Sequence, residues 1–155
     1  SAVCARANFP PLKKGPMKKS KLTDEERRAL IDLANEARQH AYAPYSNYPV
    51  GAALRTKSGK LYTGVNVENA AYPAGTCAER TAIFKAVSEG EREFEVIAVV
   101  SNNGGSPCGS CRQVLVEFGL DTIVLLANGE GELLQETTVR ELLPGAFTPE
   151  KLVNG

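Results

Sequence analysis

Two short apolar runs constrain the fold of this chain more than any other feature of its sequence. Val96–Val100 is rich in β-branched residues, and Asp121–Ala127 is a second run of mainly aliphatic residues. Each run is typical of a strand that is buried on both faces. A segment with helical spacing, Ser110–Phe118, lies between them. Buried strands separated by helices indicate a sheet that has helices on both faces, which is an α/β fold.

The other predicted elements complete this architecture. Thr23-Asp-Glu-Glu26 is a capping box, and the apolar spacing after it predicts a helix over residues 24–41, which Pro44 prevents from continuing. Strands are predicted at Val50–Thr56, Leu61–Glu68 and Glu132–Thr137, and helices at Cys77–Glu89 and Thr138–Leu143. The order αββαβαββα predicts a three-layer α/β/α sandwich around a central mixed sheet of about five strands.

The composition fits one globular domain preceded by a basic leader. Of the 155 residues, 43% are hydrophobic and 23% are charged, which excludes a disordered chain. The longest apolar runs fall far short of the roughly 18 residues that a membrane span needs. Residues 1–22 carry six basic residues and no acidic one. We expect residues 1–22 to be a disordered leader or an expression remnant, and residues 23–155 to form a single catalytic domain.

Charge argues against a polynucleotide as the partner. Residues 23–155 hold 12 basic and 18 acidic residues, a net charge of −6. A mildly acidic body is a poor electrostatic match for a phosphate backbone. We therefore expect neither nucleic acid nor a membrane among the partners.

Three of the four cysteines have the spacing of metal ligands. Residues 1–22 lack the continuous apolar stretch of a secretory signal, so we expect a cytoplasmic protein in which disulfides are rare. Cys4 lies in the basic leader, whereas Cys77 is followed 31 residues later by the pair Cys108-x-x-Cys111. This spacing indicates a metal site, although a C-x-x-C pair alone also occurs as two incidental core cysteines.

Cys77 and Cys108 stand at the starts of two predicted helices. Unpaired backbone N–H groups and the positive end of the dipole favour thiolates there, and the thiolate is the form that binds metal. Three sulfurs without an obvious fourth ligand fit a catalytic zinc that keeps one coordination position open. A fourth sulfur from Cys4 would instead close the site and make the chain a non-enzymatic zinc module, which the composition of the leader disfavours.

Glu79 lies two residues after Cys77, beside the expected open position. An acidic residue in the first turn of a helix ordinarily only interacts with the dipole. Next to a metal, the same carboxylate is suited to general acid–base catalysis. A ligand, a following glutamate and a later P-C-x-x-C form the signature of zinc deaminases.

At these residues the sequence resembles the small, oligomeric cytidine deaminases, and the resemblance extends over residues 22–152. It is carried by Cys77-Ala-Glu-Arg80 and by further segments in the same order: Tyr42-Ala-Pro-Tyr-Ser46, Val50-Gly-Ala-Ala-Leu54, Asn66-Val-Glu-Asn-Ala-Ala-Tyr72, Pro107-Cys-Gly-Ser-Cys-Arg-Gln113 and Glu141-Leu-Leu-Pro-Gly-Ala-Phe147. Blasticidin-type deaminases share the zinc motifs but depart from the Asn66–Tyr72 segment, so they are the alternative.

The resemblance implies a role for each matched residue. Cys77, Cys108 and Cys111 would hold one Zn²⁺ per subunit, and Glu79 would transfer protons. Arg80 would offset the negative charge of three thiolates, unless it is only a surface charge. The implied substrate-binding residues are Asn66 and Glu68 at the ribose hydroxyls, Tyr48 and Ala78 in the substrate site, and Tyr72 and Phe147 reaching into a neighbouring subunit's site. Tyr48 departs from the phenylalanine that is usual in the family.

The implied reaction is the zinc-dependent hydrolytic deamination of cytidine and deoxycytidine to uridine and deoxyuridine, with release of ammonia, as a step of pyrimidine salvage. Glu79 would deliver a proton to N3 of cytosine and later help to protonate the departing amine. Deamination of another cytosine compound, such as a blasticidin-type antibiotic, is the alternative. The implied assembly is a homo-oligomer, a tetramer with shared active sites.

Overall fold

The computed structural model describes residues 21–153 of the chain. Most of the predicted leader, including Cys4, therefore lies outside the described residues. Leu22 is only 6% exposed, and its carbonyl accepts a hydrogen bond of 2.8 Å from Arg27 Nη1. The packed part of the described chain thus includes Leu22, at the predicted boundary of the leader. None of the described helices combines the length and the apolar character that a membrane crossing needs.

The described chain forms a five-stranded mixed sheet covered by helices. The elements in chain order are α1 Asp24–Arg38, β1 Gly51–Thr56, β2 Leu61–Val65, a 3₁₀ turn Tyr72–Ala74, α2 Ala78–Ser88, β3 Phe94–Val100, α3 Gly109–Phe118, β4 Ile123–Ala127, β5 Leu133–Thr138, α4 Val139–Leu142 and α5 Pro149–Val153. The strand order is β2-β1-β3-β4-β5, with β3 and β4 parallel and the other neighbours antiparallel. The predicted α/β fold class is confirmed.

Alternate residues of the central strands face two hydrophobic cores. Val96, Ala98 and Val100 of β3 belong to the core that also contains Leu30, Ile31 and Ala34 of α1. Ile97 and Val99 belong to the other core, which contains Ala82 and Ile83 of α2 and Leu115 of α3. This alternation follows from the period of two along a strand. It fixes α2 and α3 on the same side of the sheet, so their first turns can approach each other.

Helix α1 ends earlier than the sequence predicts. The predicted range runs to residue 41, whereas the helix ends at Arg38. The chain then leaves the helical path, because the Tyr42 N–H donates to the Asn66 carbonyl at 3.0 Å and the Tyr42 carbonyl accepts from Glu68 N–H at 2.8 Å. These bonds draw the segment after α1 alongside the segment after β2.

Strand β2 also ends earlier than predicted, at Val65 rather than Glu68. The Asn66 side chain lies beyond its end, where Oδ1 accepts from Val50 N–H at 2.8 Å and Nδ2 donates to the Tyr48 carbonyl at 2.9 Å. Val67 forms isolated bridges with Tyr42 and Thr76. These bonds hold the segment after β2 outside the regular sheet, where Asn66 and Val67 line a cleft that also includes Cys77 at the start of α2.

Candidate active site

The first turns of α2 and α3 bring three cysteine sulfurs together. Cys77 and Cys108 are the N-cap residues of these helices, and Cys111 lies in the first turn of α3. The three Sγ atoms lie within 4.8 Å of one another, and Cys77 Sγ and Cys108 Sγ are 3.9 Å apart. In a tetrahedral site with metal–sulfur bonds of about 2.3 Å, sulfurs are about 3.8 Å apart. The cluster therefore has the dimensions of a zinc site.

The sulfur cluster is suited to a cation by its charge as well as by its size. The hydrogen bond from Cys111 and the guanidinium of Arg80 lower the pKa of Cys77 to about 5. The same bond to Cys77, together with burial, raises the pKa of Cys111. The cluster thus favours a thiolate at Cys77. A divalent cation at the centre would also stabilise the other sulfurs as thiolates, which are the metal-binding form.

Arg80 lies beside this cluster. Its Nη2 is 3.4 Å from Cys77 Sγ, and the contact raises the pKa of the guanidinium. The Arg80 Nε atom is buried without a hydrogen-bond partner in the described part of the chain. The Arg80 guanidinium is positively charged, and its Nε–H is available as a further hydrogen-bond donor. It is therefore suited to a cluster in which more than one cysteine is a thiolate.

Glu79 is the buried acid of the site. It occupies the first turn of α2 and is 4% exposed. Burial raises the pKa of its carboxyl, and the neighbouring charge of Cys77 raises the pKa further. A carboxyl whose pKa moves toward neutrality exchanges protons more readily at physiological pH than a solvated one.

Two cavities meet at Cys77. The Glu79 cavity, of about 400 Å³, is lined by Tyr48, Ala78, Glu79 and Cys108 among others. The Glu68 cavity, of about 520 Å³, is lined by Glu68, Tyr72 and Arg80 among others. Ser46, Asn66 and Cys77 line both. The structure thus places one cavity at the sulfur cluster and the buried acid, and a second, larger one beside it.

Asn66 and Glu68 shape the cavity walls through bonds to the backbone. Glu68 Oε2 accepts from the N–H groups of Tyr45 at 2.8 Å and Ser46 at 3.1 Å, and Oε1 bonds to the Ser46 hydroxyl. The Ser46 hydroxyl is the main cause that lowers the pKa of Glu68. An ionised carboxylate offers about four acceptor sites, and the Asn66 amide keeps one N–H and one lone pair beyond its two backbone bonds. Both side chains therefore retain some capacity for a ligand.

The two predicted subunit-bridging aromatics differ in position. Tyr72 is 75% exposed, lines the Glu68 cavity and packs edge-to-face on Tyr45 with ring centroids 5.8 Å apart. Phe147 is 56% exposed and lines neither of these cavities in its own chain. Its carbonyl accepts a hydrogen bond of 2.9 Å from Gln113 Nε2 of α3.

Sequence reasoning missed the polar residues around Tyr48. Its hydroxyl bonds to Ser101 Oγ at 2.9 Å and to Asn103 Oδ1 at 2.5 Å, and Ser101 Oγ also accepts from Gly105 N–H at 2.8 Å. Tyr48 as a departure from phenylalanine was the one available signal, because it adds a hydroxyl that needs partners. Gly105 lies against this hydroxyl, because a Cβ atom at position 105 would be 2.5 Å from the Tyr48 oxygen.

Comparison with known proteins agrees with this geometry. Residues 24–127 match the family described as the cytidine and deoxycytidylate deaminase zinc-binding region. A cytidine deaminase of Sporosarcina psychrophila is 53% identical over 126 residues, which cover 79% of this chain and 92% of that protein. The crystal structure of cytidine deaminase from Burkholderia pseudomallei is similar with a TM-score of 0.74 and 49% identity, over 81% of this chain and all of that one. The chain belongs to the cytidine and deoxycytidylate deaminase family.

This membership confirms the predicted family and makes the chain a zinc-binding deaminase. A more distant relative is the blasticidin-S deaminase of Bacillus cereus, which is 34% identical over 77% of this chain and 90% of its own length. The alternative interpretation of the sequence thus corresponds to a real but more distant relative.

Proposed function

We propose that the chain catalyses the hydrolytic deamination of cytidine and deoxycytidine to uridine and deoxyuridine, with release of ammonia. The observation that carries the proposal is that Glu79, a buried carboxyl with a raised pKa, lines the same cavity as the sulfurs of Cys77 and Cys108. Cys77, Cys108 and Cys111 would hold the Zn²⁺, which when bound supplies Lewis-acid activation of water.

Glu79 is the proton carrier in this proposal. Its carboxylate accepts a proton from the attacking water and passes that proton to N3 of cytosine while oxygen bonds to C4. The C4–N4 bond then breaks, and a proton reaches the departing amine by way of Glu79, so that water and cytidine give uridine and ammonia. Because the carboxyl is buried, it serves as both acceptor and donor without competing exchange with bulk water.

The residues that line the two cavities support the remaining contacts of this proposal. The base would lie in the Glu79 cavity, with the Tyr48 ring on one side. The N–H of Ala78, at the first position of α2, has no partner within the helix and is assigned to a polar atom of the base. The sugar would lie toward the Glu68 cavity, where Asn66 and Glu68 retain acceptor and donor capacity for paired hydroxyls.

We also propose a cytoplasmic homotetramer that serves pyrimidine salvage, in which neighbours complete each site. Support comes from Phe147, an exposed aromatic that lines neither cavity of its own chain, and from the highly exposed Tyr72 at the rim of the Glu68 cavity. An aromatic ring in this situation suits stacking on a pyrimidine across an interface.

The test of the reaction is ammonia release from cytidine, deoxycytidine, a cytosine oligonucleotide and blasticidin S, each with and without a chelator. We expect turnover of both nucleosides, loss of turnover with the chelator and recovery on addition of Zn²⁺. Turnover of blasticidin S in preference to the nucleosides would instead establish the alternative function.

The shared site is tested with mixed oligomers of a Glu79→Ala chain and a Phe147→Ala chain, each weak or inactive alone. Some sites in the mixture would combine an intact Glu79 with an intact Phe147 from another chain. We expect activity above the sum of the two separate variants. A purified mixed oligomer without such a gain would contradict the shared site.

A further inference from the structure

The hydroxyl of Tyr48 closes a chain of hydrogen bonds at the wall of the Glu79 cavity. Asn103 Oδ1 can only accept, so the phenol gives its single hydrogen to that atom at 2.5 Å. Ser101 Oγ, 2.9 Å from the phenol oxygen, accepts the Gly105 N–H, and its own hydrogen can go to the phenol oxygen or to Asn103 Oδ1, 3.5 Å away. Every hydrogen in the chain from Gly105 to Asn103 is thus used. Ser101 is 1% exposed, so the chain is anchored in the interior.

Gly105 is matched to this hydroxyl. A Cβ atom at position 105 would lie 2.5 Å from the Tyr48 hydroxyl oxygen, closer than real Cβ atoms approach. Its other nearest neighbours would be Asn103 Oδ1 and Ser101 Oγ, both at 3.6 Å, which are ordinary contacts. An alanine would therefore displace the hydroxyl from its partners, whereas the same alanine beside a phenylalanine ring would meet no such atom.

The bonded segment forms one wall of the cavity and leads into the sulfur cluster. Gly105 and Ser106 line the Glu79 cavity together with Tyr48, and Cys108 follows after Pro107. Asn103 is also tied to the residue that follows β4, through an isolated bridge to Asn128. The Tyr48 hydroxyl thus connects its own ring, which lines the cavity, to the segment that carries Ser101, Gly105 and Ser106, which line the same cavity.

We propose that Tyr48 acts through its hydroxyl as a positioning residue, which holds residues 101–107 at the separation from its own ring that a planar pyrimidine base requires. The inference rests on the proposed function, because the base is taken to lie in the Glu79 cavity. Tyr48 and Gly105 then have a joint role in substrate affinity, because the hydroxyl fits only where residue 105 has no Cβ atom.

The experiment is a double-mutant cycle of Tyr48→Phe and Gly105→Ala, read by KM, kcat and the affinity for uridine measured by calorimetry. We expect each single variant to raise KM for cytidine, and the Kd of uridine, about tenfold, the scale of one hydrogen bond lost at a binding site. We expect kcat to stay within about twofold. The double variant should match Tyr48→Phe alone, because the alanine Cβ no longer meets a hydroxyl.

Tyr62→Phe is the matched control, since it also removes a bonded phenol hydroxyl, 3.0 Å from Glu89 Oε2, but on β2 and away from both cavities. It should leave KM unchanged. Thermal unfolding and zinc content of all variants confirm that they are folded. If the two single effects multiply to about a hundredfold in the double variant, or if KM stays unchanged in Tyr48→Phe, the proposal is overturned.

A substrate-free measurement separates this inference from the proposed function. Hydrogen–deuterium exchange of the peptide 101–107 should speed up in Tyr48→Phe and not in Tyr62→Phe, because Ser101 Oγ, the acceptor of the Gly105 N–H, is no longer held by the phenol hydroxyl. If exchange speeds up as expected but the wild-type protein neither turns over cytidine nor binds uridine, the proposed function fails and the structural link through the hydroxyl stands. Unchanged exchange in Tyr48→Phe would overturn the link itself.

Discussion

Helices α1 and α4 begin in one way, and α2 and α3 begin in another. Thr23 and Thr138 each accept a hydrogen bond from the third residue of their helix, where Glu26 and Glu141 accept one in return from the backbone N–H of the threonine. Cys77 and Cys108 occupy the same N-cap position before α2 and α3 but make no such bond. The first pair of helices has its free N–H groups bonded by side-chain caps, and the second pair leaves its own without such a cap, next to the cysteine sulfurs.

The starts of α2 and α3 lack the stabilising cap that α1 and α4 have, and these are the helix starts that carry the cysteines. An N-cap threonine stabilises a helix by about 1 kcal/mol relative to alanine. Helix α2 forgoes this contribution at its start, yet Ala82, Ile83 and Ala86 are fully buried against the sheet. Packing holds α2 in place, so its first turn is free to carry Cys77 and Glu79. The uncapped starts are therefore a consequence of the site rather than a weakness of the fold.

The largest predicted effect comes from removing a sulfur. Cys111→Ala should release the zinc, abolish turnover and lower thermal stability together, because the variant loses a metal ligand that also ties α3 to α2. Cys4→Ala, the same chemical change outside the described residues, should alter none of the three. Zinc analysis and thermal unfolding provide the measurement. If Cys111→Ala still bound one zinc per chain and had normal turnover, the sulfur cluster would not be the zinc site of the reaction.

A smaller effect is expected at the capped start of α1. Thr23→Ala should lower the free energy of unfolding by about 1 kcal/mol, because the bond of 3.1 Å from Glu26 N–H to Thr23 Oγ1 is lost. Turnover and zinc content should not change, since Thr23 lines neither cavity. Thr23→Ser keeps the acceptor and should retain most of the stability in denaturant unfolding. An equal loss in both variants would mean that the hydroxyl does not cap the helix.

The smallest effect concerns charge at the start of α4. The Thr137 hydroxyl is the main cause that lowers the pKa of Glu141, with the Thr138 N–H adding to it. A lowered pKa in the folded state stabilises the protein above the unfolded value of 4.5 and ceases to do so as the pH falls through the folded value. Because Glu141 is exposed and solvent screens its charge, wild type should exceed Glu141→Gln in stability by only about 0.5 kcal/mol at pH 7.

That difference should shrink as the pH falls below the unfolded pKa, because the glutamine side chain of the variant carries no charge and keeps the hydrogen-bonding shape of the capping box. Unfolding of both proteins at several pH values measures it. A difference between the two proteins that stays constant with pH would show that the charge of Glu141 contributes nothing.

Local patterns made most of the fold predictable. The capping box at Thr23 and the β-branched run at Val96–Val100 each specify their element through neighbours in sequence. The predicted sheet of about five strands and the family are confirmed. The helix Pro149–Val153 was not predicted, although a proline at the first helical position is a known start signal.

What the sequence could not supply depends on partners far along the chain. The end of β2 is set by bonds of Asn66 to the backbone of Tyr48 and Val50, and no pattern within the strand announces them. The Tyr48 hydroxyl likewise bonds to Ser101 and Asn103, which lie 53 and 55 positions further along the chain. The cysteine triad was predictable because its spacing is itself a chemical signature, whereas the cavity around it is made by the loops.

The proposed function requires that the uncapped start of α2 carry a proton-transferring acid beside a zinc site. It is tested most directly by measuring zinc content and cytidine turnover together in Glu79→Gln, a change that keeps the shape of the side chain and removes its proton chemistry. We expect near-normal zinc content with turnover lowered by about 10²-fold or more, the scale of lost general acid–base catalysis. Loss of zinc accompanied by only a mild kinetic defect would contradict it, because Glu79 would then support the metal site and not the reaction.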